Sequence, residues 1–89
     1  MRSDFAALQG QRCRFEATYA GRSRTGHVIL RDVLGPACEA EHVWVKRQDW
    51  STRLPQPGRR IELVGTVMPY SHEDGTKDFN LIACREVRP

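Results

Sequence analysis

The chain has 89 residues, 39% of them hydrophobic and 28% charged, which allows one modest core and is too apolar for a disordered segment. A formal charge of +3 argues against an acidic mimic of nucleic acid, and no apolar run approaches the roughly 20 residues that cross a bilayer. Together with an N-terminus that lacks a signal peptide's apolar stretch, this predicts one soluble domain over residues 1–89, in the cytoplasm and with no membrane partner.

In chain order, Ser3 ahead of Asp4, Phe5 and Leu8 predicts a capped helical turn that Gly10 ends. Residues 11–20 alternate, with Cys13, Phe15, Ala17 and Tyr19 on one face and Arg12, Arg14, Glu16 and Thr18 on the other, the pattern of a half-buried strand. Gly21 and Gly26 bound a turn, and residues 27–34, rich in Val28, Ile29, Leu30, Val33 and Leu34, complete a hairpin. Gly35 and Pro36 break that strand. An acidic linker around Glu39 and Glu41 then leads into a short third strand at residues 42–46, with Val43 and Val45 on one face, predicted to pair with the second.

Trp50 and Leu54 are spaced for one or two helical turns within residues 47–54, before Pro55, Pro57 and Gly58 stop any helix. Residues 60–68 form the fourth strand, Ile61, Leu63, Gly65 and Val67 alternating against Glu62, Val64, Thr66 and Met68, and Gly65 allows a bulge. Residues 69–77 are a polar loop with a tight turn at Asp74-Gly75. Residues 78–87 return as a fifth strand bearing Phe79, Leu81 and Ala83 against Ile82 and Cys84. No repeat, linker or low-complexity tract stands out.

This order of elements resembles the oligonucleotide/oligosaccharide-binding fold. The likeness spans residues 11–88. Its most telling part is Gln56-Pro57-Gly58-Arg59-Arg60-Ile61 with the strand that follows, then Asp78-Phe79-Asn80-Leu81, similar to the second half of short bacterial and phage members; His42-Val43-Trp44 is similar to theirs as well. The resemblance implies an all-β, five-stranded Greek-key barrel with a short N-terminal helical turn and a short helix between strands three and four. It also implies binding of single-stranded nucleic acid, DNA more than RNA, with little sequence preference.

All cations but Lys46 and Lys77 are arginine, a side chain that pairs with phosphate through two hydrogen bonds and stacks on bases. Between positions 12 and 31 the basic Arg12, Arg14, Arg22, Arg24 and Arg31 face only Glu16 and the adjoining Asp32. Single-strand binding needs such cations beside aromatic rings. Tyr19, Arg22 and Arg24 at the first turn and Tyr70, His72 and Lys77 at the last loop supply both, and in this fold those loops flank one face. Arg14, Trp44 and Lys46 complete the candidate set.

Each candidate also has a plainer reading. Tyr19 continues an inward-facing row and reads equally as core. Tyr70 is a ring packed on its own loop or a stacking ring, Arg22 and Arg24 are solvated turn residues or phosphate ligands, and Trp44 lies on the binding face or covers the connector. Trp50 with Leu54 reads as a plug at the barrel's end more than as a stacking platform, and Arg59 and Arg60 as a charged turn more than as phosphate contacts.

Cys13, Cys38 and Cys84, odd in number and widely spaced, read as reduced thiols. Cys38 and His42 have half the spacing of a zinc site and no second pair, so no metal or cofactor is expected. No nucleophile elbow, phosphate loop or paired-ligand helix is present, and a non-enzymatic role is expected. The rival reading is a protein-interaction module, a homodimer or a small subunit of a nucleic-acid-processing complex.

Overall fold

The computed structural model describes residues 8–36, 38–71, 75 and 77–87, with backbone alone at residues 70, 71, 77 and 78. Five antiparallel strands account for most of them: β1 (Arg12–Arg22), β2 (Val28–Gly35), β3 (Cys38–Val45), β4 (Arg60–Ser71) and β5 (Lys77–Val87). They make one sheet in the order β3-β2-β1-β4-β5, so β1 joins the β1–β2–β3 meander to the β4–β5 hairpin. The edge strands β3 and β5 approach each other, yet no ladder joins them. Hydrogen bonds therefore do not close the sheet into the barrel that the sequence resemblance implies. Among the described residues no helix is long and apolar enough to cross a membrane.

Strict alternation sets the buried faces of the two central strands. Phe15, Ala17 and Tyr19 of β1 and Ile61, Leu63 and Val67 of β4 all point into the core. β3 begins earlier than predicted. Cys38 and Ala40 are buried while Glu39 and Glu41 are exposed, so the acidic linker is itself strand. Helix is nearly absent: the connector holds a single 3-10 turn, Arg47–Asp49, in place of the predicted helix. The predicted N-terminal helical turn lies outside the described residues except for Leu8, which packs against the core.

Three strands change face partway: β2, β5, and β3, which follows β2 in register and buries both Ala40 and Val43 with Glu41 and His42 exposed between them. In β2, Leu30 and Val33 are both buried, and of the two exposed residues between them Asp32 has φ of 50°. In β5, Leu81 and Cys84 are both buried and Ala83, also at φ 50°, is exposed, which reverses the predicted facing of Ala83 and Cys84. The changes in β2 and β5 are bulges: the β1–β2 register shifts between Glu16 and Thr18, and the β4–β5 register between Val64 and Thr66. Gly65 sits opposite the second bulge because a Cβ there would come within 2.8 Å of the Cys84 sulfur.

The two hairpins share a pattern that residue identities conceal. Gly10 donates from its backbone amide to the Val67 carbonyl at 2.7 Å, and Gly58 donates to the Tyr19 carbonyl at the same distance. Val67 in turn donates to Gln11, and Tyr19 to Arg59. Each hairpin is thus entered through a glycine hydrogen-bonded across the central β1–β4 pair.

The connector plugs one side of the core. Trp50 is 3% exposed and bridges in parallel to Cys84, while Ser51 donates to the Cys84 carbonyl at 2.9 Å and the Thr52 hydroxyl accepts from the Glu86 amide at 2.9 Å. This agrees with the plug reading of Trp50 and Leu54, the latter packing against the same core.

Candidate nucleic-acid interface

The turn at residues 23–27 is held by its own short side chains. Ser23 accepts the His27 amide on its hydroxyl at 3.0 Å and donates its own amide to the His27 carbonyl at 2.8 Å. Ser23 and Thr25 share a hydroxyl hydrogen bond at 3.1 Å, and Thr25 shares another with His27 Nδ1 at 3.0 Å. This network orients the imidazole, which lies against the Trp44 indole with centroids 5.7 Å apart and planes tilted by 42°.

Trp44 is paired with Ile29 across β2–β3 and is 48% exposed. The next row on the same outer face pairs Arg31 with His42, and Thr18 of β1 lies beyond Arg31. Arg22 and Arg24 flank the start of the turn, and Lys46 follows β3; all are exposed, as is Arg31. None of Arg22, Arg24, Arg31 and Lys46 forms an ion pair among the described residues. An indole, an imidazole, Arg31 and Lys46 thus share one end of the β2–β3 face, with Arg22 and Arg24 in the adjoining turn region.

Other sequence candidates lie elsewhere. Tyr19 is 3% exposed and belongs to the core, so its ring is not open to stacking. Arg14 stands further down the outer face of β1, 3.4 Å from Glu62. Arg60 is tied by Nε to Glu16 at 3.2 Å and by Nη1 to the Asp32 carbonyl at 2.7 Å, which leaves little of its charge for a phosphate. His72 lies outside the described residues; Tyr70 and Lys77 fall on the backbone of β4 and β5 where these form their far turn. The register sends that turn beyond the N-terminal end of β1, whereas Arg22 and Arg24 lie at its C-terminal end.

Three residues of this face escaped the sequence reading as site members: His27, Ile29 and Arg31. Their spacing of two, interleaved with buried Val28 and Leu30, was the available signal. Cys38 and His42 do not make half a metal site, because Cys38 is buried and His42 exposed on the opposite face. No group of potential metal ligands occurs among the described residues.

Past Arg31 the face turns acidic. An open depression of about 550 Å³ is lined by Asp32, Leu34, Glu39, Glu41 and Arg60, and a second of about 510 Å³ by Arg14, Glu16, Leu34 and Glu62. Leu34, 47% exposed, forms the ridge between them. No family model matches the chain, and no curated protein or solved structure is significantly similar to it.

Proposed function

We propose that this chain is a binding domain of the oligonucleotide/oligosaccharide-binding type that holds single-stranded nucleic acid on the outer face of β2 and β3, beside the β1–β2 turn. A central first strand that joins the β1–β2–β3 meander to the β4–β5 hairpin, near approach of β3 and β5, and a connector plugging the core between β3 and β4 all support the fold reading. The observation that carries the function is Trp44. A half-exposed indole steadied by His27, with Arg31 and Lys46 on the same face and Arg22 and Arg24 at the adjoining turn, offers the stacking plane and the phosphate partners such a ligand requires.

The test is a tryptophan fluorescence titration with a homopolymeric single strand and with its duplex at two salt concentrations. Trp50 is buried, so the response reports Trp44. Binding that prefers the single strand and weakens as salt rises supports the reading; no binding at low salt removes it.

A second reading, a protein-interaction module, is favoured by Leu34, an exposed aliphatic side chain in a face of mixed charge. Light scattering distinguishes it, since a stable dimer indifferent to nucleic acid meets only this alternative.

A further inference from the structure

The outer face of β2 and β3 has two ends of opposite sign. Arg31 and Lys46 occupy the end beside the β1–β2 turn, where Arg22 and Arg24 add their charge. One residue past Arg31 comes Asp32, with Glu41 directly across on β3, and then the Leu34–Glu39 pair. Asp32 and Glu39 are exposed and form no ion pair among the described residues, and both line the depression beyond the cationic end. The two other acids nearby, Glu16 and Glu62, are each matched by an arginine, so they neither add to nor relieve this charge.

A polyanion laid on Trp44 therefore has a short path. From His27 to Arg31 β2 advances roughly 13 Å, at about 3.3 Å per residue, and the next side chains are carboxylates. Continuing along the strands would bring phosphates against Asp32 and Glu39, in a depression whose lining holds Arg60 as its one cation among the described residues. Arg60 lines the same depression, but its guanidinium is held by Glu16 and the Asp32 carbonyl.

Resting on the single-strand reading above, we propose that the ligand is a short single-stranded segment of about four nucleotides, its track ended by the carboxylates of Asp32 and Glu39. That is the lower limit of the range of roughly 4 to 16 nucleotides spanned by domains of this type. With at most four cations engaged, the logarithm of affinity falls against the logarithm of salt with a slope of about −2 to −3, at about −0.7 per phosphate.

The experiment is a length series of thymidine homopolymers, from about two to about twelve nucleotides, titrated against the Trp44 fluorescence of the wild type and of the double variant Asp32→Asn with Glu39→Gln. Asparagine suits the positive φ at position 32, and urea denaturation of the variant checks that it is folded. In the wild type, affinity stops rising at about four nucleotides with the slope given above. In the double variant it continues to rise to about six or more, long strands bind several-fold tighter, and the shortest strand binds as before. Wild-type affinity that climbs to about eight nucleotides or beyond, or a double variant indistinguishable from wild type, overturns the short track while leaving single-strand binding intact. Absence of binding at every length overturns both.

Discussion

Arg60 of β4 reaches across β1 to donate a hydrogen bond to the carbonyl of Asp32 on β2, 2.7 Å away, at the residue where β2 changes face. On the way its Nη1 contacts the hydroxyl of Thr18, its partner in the β1–β4 ladder, at 3.2 Å. The other bulge has the same device. Arg12 of β1 crosses β4, contacts the hydroxyl of its partner Thr66 at 3.3 Å and donates to the carbonyl of Ala83 on β5 at 2.9 Å. Each left-handed residue thus has its carbonyl satisfied by an arginine two strands away, and two cations that composition assigns to a basic surface serve the sheet.

Removing either arginine loosens its bulge. Arg60→Ala and Arg12→Ala each lower stability by about 1 kcal/mol, a figure kept small because both side chains are partly solvated. Arg60→Lys recovers only a fraction, since one ammonium cannot hold Glu16, Thr18 and the carbonyl together in that planar geometry. Urea denaturation midpoints at constant slope are the measurement; unchanged midpoints contradict the role.

Ala83 carries a Cβ in a backbone conformation that favours glycine. Ala83→Gly removes about 1 to 2 kcal/mol of steric cost and gives back part of it as unfolded-chain entropy, so a net gain of about 0.5 to 1 kcal/mol is expected. Thermal melting of the variant tests this, and a lower melting temperature contradicts it.

Burial among the core side chains pushes the Cys84 thiol up from 9.0 to about 12; Asp49 adds to the rise, and Arg12 opposes it. In the unfolded chain this thiol ionises near pH 9, while in the folded chain it keeps its proton until about pH 12. The unfolded state therefore binds fewer protons in that window, and stability falls as pH rises through it, by about 1 kcal/mol per unit. Below pH 9 the contribution is flat. Stability measured from pH 8 to 11 in wild type and Cys84→Ala isolates it as the difference in slope, and parallel slopes contradict it.

Binding variants separate stacking from charge. Trp44→Ala weakens single-strand binding by about 1 to 3 kcal/mol and leaves the salt slope nearly unchanged. Arg24→Ala reduces the slope by about 0.7 and matters less at high salt. Arg14→Ala, beside Glu62 and away from Trp44, leaves both quantities as they are. A slope that responds to Arg14 and not to Arg24 places the ligand elsewhere.

Much of the sheet was legible from period-two alternation, because β1 and β4 each bury one uninterrupted face from Phe15 to Tyr19 and from Ile61 to Val67. That same alternation carries the core reading of Tyr19, which residue type leaves even with a stacking role. It failed at Asp32 and Ala83, where a left-handed residue other than glycine leaves no mark in the sequence yet reverses every side chain after it. β3 is longer than its residue types suggest for a different reason: Glu39 and Glu41 have the character of a linker, although Cys38 and Ala40 alternate with them.

The site was half legible. Trp44 and the turn arginines stand out by residue type, and so did Arg14 and Arg60, whose carboxylate partners come from strands far away in sequence. Distance along the chain hides such pairing. The indole's support from His27 depends on a hydroxyl network within residues 23–27 that side-chain types alone do not specify.

The connector's attachment to β5 bears on how this molecule resists misassembly. An open sheet margin can recruit a strand from a neighbouring copy, but the margin at Cys84 and Glu86 is already taken by Ser51 and Thr52. An incoming chain could add there only after peeling off a segment whose neighbour, Trp50, is anchored in the interior. One indole therefore guards a backbone it does not itself hydrogen-bond by side chain, and loosening it would expose a sticky margin as well as cost core packing.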